Sequence, residues 1–324
     1  MKTGCTATAL WFSLWGSDDR FSVPHFRYLI SELQETKIVD NHNWDLVVDI
    51  VQSIVEIVSC GDSQDPQLFE RFMEYQVLAE FVRVLRICTD TGIQAPFLQY
   101  LSIFIQNIEN YCFSNDHINN IIAHPFNFGC GDLDPYYISF LRAVSSKVNI
   151  GIISILVKVH GVRYCSFLPV TLYSAALKFS QRSERMIQAA VRAITLNLYK
   201  VSDDLVLQFL STPPVSDYFS NLVWRLKEQC SHLDGHVHAL KERFTDHGWK
   251  ELLLEADKIV DEIYYLKDII SVGESCLSEA VALSLVNFLI FPILGRLLKT
   301  QQSDVSCLLP NFFCSYIYSY FSQG

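Results

Sequence analysis

Apolar residues recur every three to four positions through most of the chain, which is the pattern of helices that bury one stripe. Strict alternation, the mark of a half-buried strand, is hard to find. Ser22-Val23-Pro24 predicts a helix start followed by the face Phe26, Leu29, Ile30 and Leu33. Residues 43–59 follow as a helix with Val47, Ile50, Val51, Ile54 and Ile57 inward, and Gly61 is placed to stop it. Asp65-Pro66 combines an N-cap with a proline in the first turn, and Leu68, Phe69 and Phe72 extend the apolar face. Residues 77–88 read as the next helix, with Phe81, Val84 and Leu85. Ala95-Pro96 opens another that runs to about Glu109 along Leu98, Leu101, Ile105 and Ile108, and residues 116–122 make a short one. Asp134-Pro135 repeats the cap-then-proline device ahead of residues 136–148, with Phe140, Leu141 and Val144 buried. Residues 150–159 fit helix or strand equally, and residues 171–179 form a brief helix beyond the break at Gly161.

Residues 186–200, MIQAAVRAITLNLYK, stand out. Ile187, Val191, Ile194 and Leu198 make one stripe, while Ala189, Ala190, Ala193 and Leu196 keep much of the remaining surface small or apolar. Such a helix must be covered on several sides. Ser183 is placed to cap it, with Glu184 near its positive end. Beyond Pro213-Pro214, residues 218–229 resume helix and the polar residues 232–247 predict a loop or insertion. Residues 249–270 predict a long amphipathic helix along Leu253, Ala256, Val260, Ile263, Leu266 and Ile270, followed by 274–289.

Setting Val51, Leu101, Leu141 and Val191 in register aligns IVQSIVEIV, YLSIFIQNI, FLRAVSSKV and AVRAITLNL. They lie 50, 40 and 50 residues apart, near the period of armadillo or HEAT units. Asn107 and Asn197 fall in equivalent places. The expected fold is therefore all-α, an armadillo/HEAT-like helical repeat stack, in which repetition lets a long chain bury one continuous core. Ile187, Val191, Ile194, Asn197 and Leu198 are its architectural residues in this helix.

Composition narrows the function. Half of the 324 residues are hydrophobic and 19% are charged, which argues for a packed core over disorder. A net charge of −10 opposes a general nucleic-acid binder, since phosphate contacts need a basic face. The ten cysteines are scattered with no CxxC, as expected of thiols in a reducing compartment. Lys2 and the apolar residues 5–16 imitate a signal peptide, but Trp11, Phe12 and Trp15 suit its core poorly and no A-x-A site follows. Residues 280–295 are short and interrupted by Asn287 and Pro292, and the uncharged residues 305–324 carry several serines. Neither matches the ~20 predominantly apolar residues of a confident span, although an integral protein anchored through 280–324 is a competing reading.

Candidate chemistry is sparse. No GxSxG elbow, Walker A or GxGxxG loop occurs, so no small-molecule substrate or nucleotide cofactor is implied. Cys230, His232, His236 and His238, with His247 beyond, form the one metal-like group. His232 and His236 would share a helix face, and a metal-dependent hydrolase built there is the enzymatic alternative. The standard ligand spacing is missing, and a His-rich exposed connection explains the segment without metal. Lys178, Arg182, Arg185, Arg192 and Lys200 make the surroundings of residues 186–200 locally basic. They suit either a charged helix rim or a docking face for an anionic membrane or an acidic partner.

Several stretches in order carry a family resemblance: DPQLFERFMEYQVLAEFVRVLR, LQYLSIFIQNI, FSNDHINNIIAHPFNF, YYISFLRAVSSKVN, AVRAITLNLYKVSDD and YFSNLVW. Together they resemble the FPL-domain family, the animal endosomal-maturation proteins (one catalogued as a C-type lectin) and their plant counterparts. WFSLWGSDDRFS is most similar to the plant branch. The resemblance implies an entrance segment over 1–20, an FPL-type helical domain over 21–293 and a divergent tail over 294–324. It further implies a non-enzymatic scaffold without cofactors, cytoplasmic and held peripherally at Golgi or endosomal membranes. Such a scaffold acts through trafficking, tethering or autophagy proteins in transport to the vacuole or lysosome; in plants the association extends to vacuole development and flavonoid accumulation. The family's Phe-Pro-Leu phrase is disrupted here, as Phe167-Leu168-Pro169-Val170-Thr171-Leu172-Tyr173.

Overall fold

Ser22 begins the first helix as its sequence demands. Its hydroxyl accepts from the His25 amide at 3.3 Å, and Pro24 occupies the first turn, where a missing N–H costs nothing. From there the computed structural model describes residues 21–61, 66–88, 91–107, 116–129, 132–149, 168–201, 204–211, 217–242 and 245–292. Among the described residues lie thirteen α-helices and no strand, only an isolated bridge between Val39 and Cys88. Expectations on residues 1–20, 62–65, 150–159, 213–214 and 294–324 lie outside them. The chain divides into two compact units at Val201 and Ser202.

The first unit contains α1 (Val23–Glu35), α2 (Trp44–Gly61), α3 (Pro66–Glu74), α4 (Val77–Ile87), α5 (Gln94–Asn107), α6 (Asp116–Ile122), α7 (Asp134–Lys147), α8 (Leu168–Leu177) and α9 (Arg185–Tyr199). The helices follow the sequence pattern closely, though α2 keeps Gly61 in its last turn. The four helices aligned by repeat register pack in series, α2 on α5, α5 on α7 and α7 on α9. Their register residues Val51, Leu101 and Leu141 are fully buried, and Val191 nearly so. Enclosing such side chains contributes about 1.5–3 kcal/mol each, so this shared core is the main support of the unit. The serial packing is compatible with the expected repeat stack.

Two caps differ from expectation. Asp134 does not cap α7: it is the first helical residue, 3% exposed, and its carboxylate turns to the Arg182 guanidinium at 2.9 Å. A guanidinium offers a charge-assisted bond that outbids the neutral amides of the first turn. At α9 the capping position belongs to Glu184 and not Ser183, and the Glu184 side chain makes no capping bond. Instead the Gln188 amide donates to the Arg182 carbonyl at 2.9 Å and ties down the entry of the helix.

The second unit contains α10 (Asp204–Ser211), α11 (Asp217–Glu242), α12 (Asp246–Ser271) and α13 (Ser275–Leu285), which runs on into a π turn at Val286–Ile290. Pro292 follows, and its missing N–H breaks the regular ladder to the preceding turn. Most of the loop expected over 232–247 is helix among the described residues. Residues 217–242 form one unbroken helix, and Thr245 caps the next by accepting from the Gly248 amide at 3.1 Å. The buried face of α12 also differs. It runs through Ile259, Glu262, Ile263, Tyr265, Leu266 and Ile269, whereas Leu253 is 47% exposed.

Candidate functional site

Helix α9 is held by polar contacts as well as by its apolar stripe. Ile187, Val191, Ile194 and Leu198 are buried, as the sequence predicts. Asn197 donates from Nδ2 to the Ser145 hydroxyl of α7 at 3.0 Å, and the Ser145 hydroxyl donates to the Arg142 carbonyl. Thr195, fully buried, returns its hydroxyl to the carbonyls of Val191 and Arg192. Tyr199 and Tyr173 of α8 join their hydroxyls at 2.8 Å inside the core. These bonds let the polar side chains of the α9 seam sit inside the core with partners.

The outer side of α9 carries the candidate docking residues. Arg185 and Lys200 are exposed, Arg192 is half-buried, and Met186 is 82% exposed beside Arg185. Arg185, Arg192 and Lys200 fall seven and eight positions apart, so they line one side of the helix. Lys178 stands exposed in the turn after α8. Arg182 is exposed as well but differs from the others in its pairing. Its guanidinium pairs with Asp134, whose carboxyl is pushed up by burial, drawn down by Arg182 and raised again by Glu184.

In the second unit, α11 and α12 meet along a polar seam. Arg225 donates through Nε to Glu262 at 2.9 Å, and Glu262 is 1% exposed. Farther along, His232 Nδ1 stands 3.0 Å from Oε1 of Glu255, and His236 Nδ1 stands 3.1 Å from Oε2 of the same carboxylate. Partners that step down α12 as they step up α11 show the two helices running in opposite senses. The Tyr218 and Tyr265 hydroxyls meet at 3.2 Å near the start of the seam, and burial holds the Tyr218 phenol well above its ordinary value. Cys230, expected beside the histidines as a metal-like partner, is not part of the group. Its thiol is half-buried and pushed up to about 12 by burial, so it stays protonated. His238 and His247 face Asp234 and Glu251 one turn away on their own helices. The sequence grouped the histidines but missed Glu255, because that carboxylate comes from a helix it placed after a loop.

Among the described residues no helix is long and apolar enough to cross a membrane. What fold and surfaces define is an all-α protein of packed helix layers, with a basic helix face in one unit and a polar helix pair in the other. Residues 51–199 match the model of the FPL family, described as an uncharacterised conserved protein, and the chain belongs to that family through this region. The match ends on Tyr199, the last residue of α9. Among curated proteins, Protein TRANSPARENT TESTA 9 of Arabidopsis thaliana is 40% identical over 304 residues, which is 92% of this chain and 36% of that protein. Protein CLEC16A of Homo sapiens is 32% identical over 288 residues, 87% of this chain and 26% of its own length. A CLEC16A homolog of Caenorhabditis elegans is 26% identical over 95% of this chain and 34% of its own. The chain thus spans roughly a third or less of the relatives it matches. No solved structure matches it.

Proposed function

We propose that the chain is a non-enzymatic helical scaffold in endomembrane traffic, attached peripherally at Golgi or endosomal membranes, that holds protein partners there for transport to the vacuole or lysosome and for autophagy. The observation that carries this reading is the outer face of α9. Arg185, Arg192 and Lys200 stand on one side of a helix whose other side is locked into the core, with the exposed Met186 beside them. A rigid, basic, partly apolar ridge suits an anionic surface, where each basic residue contributes about 1 kcal/mol. The FPL resemblance supplies the cellular setting.

The test compares wild type with the double variant Arg185→Glu, Lys200→Glu in cells, by salt and alkaline carbonate extraction of membranes together with proximity labelling. Wild type is expected in a membrane pool released by carbonate and surrounded by trafficking proteins. The variant should leave the membrane at lower salt while melting at the same temperature. Recovery in the soluble fraction alone, with no trafficking proteins labelled, would sink the proposal. Retention in the carbonate pellet would favour the integral reading instead.

A further inference from the structure

Independently of the trafficking role, we propose that His232, His236 and Glu255 form a divalent transition-metal site, of the zinc class, that clamps the outer end of the α11–α12 pair. His232 and His236 are one turn apart on α11, their rings 4.6 Å between centroids, and both aim Nδ1 at the Glu255 carboxylate across the seam. One ligand atom from each residue can be chosen so that all three lie within 4.8 Å of one another. Two ligands at about 2.0–2.2 Å from a tetrahedral zinc stand about 3.4 Å from each other, near the 3.0 and 3.1 Å between each imidazole nitrogen and its carboxylate oxygen here. The donor set selects the metal class. Two imidazoles and one carboxylate suit zinc and its neighbours, whereas calcium and magnesium require oxygen shells.

Two further observations point to a ligand. Glu255 Oε2 is closed off from solvent yet accepts no hydrogen bond of adequate geometry, although the His236 nitrogen is near. An enclosed carboxylate lone pair without a proton donor is costly, and a cation would satisfy it. The second concerns what holds these helices together. On α11 the last buried residue is Leu233, and on α12 the first is Ile259. Between them no described residue is buried. The outer half of the pair therefore has half-buried apolar residues such as Val237, Leu240 and Leu252 but none of the fully buried ones that fix the inner half, and the cluster lies where α11 and α12 leave the core. His232 is two-thirds exposed at its side chain, which leaves a fourth position open to water.

The experiment uses the tag-free full chain, stripped of metal and titrated with zinc against an indicator, with cobalt as a spectroscopic probe. One zinc per chain is expected, with a higher melting temperature and slower amide exchange over residues 234–258. Glu255→Gln and His232→Gln should each weaken binding at least about tenfold while melting like wild type when no metal is present. Cobalt should give a nitrogen and oxygen spectrum without thiolate charge transfer. No saturable binding, binding untouched by both variants, or a thiolate spectrum in wild type would each overturn the assignment.

Discussion

Asp134 combines the burial of a core residue with the charge of a surface one. Its environment raises the carboxyl's affinity for protons, chiefly through burial and against the pull of Arg182. The sign follows from linkage: a carboxyl whose folded value exceeds its unfolded value stabilises the protein when protonated, and that contribution is lost as pH rises through the folded value. Asp134→Asn is expected to flatten this segment of the stability profile, read by urea unfolding from below the ordinary carboxylate value up to neutrality. Equal slopes in both proteins would show that the carboxyl is not held as described. Ile194, fully buried in α9, gives a simpler expectation. Ile194→Asp should cost about 4 kcal/mol or more, because an unpaired charge replaces packed hydrocarbon, whereas Ile194→Val should cost about 1 kcal/mol. An Asp variant that melts like wild type would place α9 elsewhere. The stripe containing Ile194 was legible from spacing alone. The Asp134–Arg182 pair was not, since 48 residues separate two groups that each looked like ordinary helix-end charges.

At the scale of the element, helices came through where an apolar stripe had to be buried, and failed to where it did not. Residues 232–242 and 245–247 are polar because the ends of α11 and α12 that run there are mostly exposed, so a largely solvated helix carries the composition of a loop. The misplaced face of α12 has a related cause. Leu253 and Leu254 imitate a core stripe while staying exposed, and the acidic Glu262 lies inside because Arg225 of the preceding helix meets it. Only the pairing of two helices reveals that position. It also ranks two mutations. Arg225→Ala removes the guanidinium that faces a buried carboxylate and should cost about 3 kcal/mol. Glu262→Gln keeps the shape and a hydrogen-bond acceptor, and the guanidinium retains some access to water, so it should cost less. Denaturant unfolding of the two variants checks the order. If Glu262→Gln proves the more damaging, the buried charge is not the controlling factor.

For the whole molecule, the repeat register was the most informative signal in the chain. Val51, Leu101, Leu141 and Val191, matched by sequence spacing, occupy the buried faces of four helices that pack one on the next. Periodic patterns transmit this kind of order because each unit buries its face only against its neighbours. The register gave no sign of the division at Val201 and Ser202, since the apolar pattern continues on both sides. Each unit nevertheless has a core of its own, one around α5, α7 and α9 and the other around α11, α12 and α13. Local stability should then follow unit boundaries more than sequence distance. Amide exchange by mass spectrometry tests this with two of the variants above. Ile194→Asp should speed exchange through α7 and α9, where Asn197 and Ser145 join the helices, and leave α11 and α12 close to wild type. Arg225→Ala should do the reverse. Acceleration spread evenly over both units in either variant would mean that they unfold together, and that the helices of the FPL-matched region share one cooperative core with those that follow it.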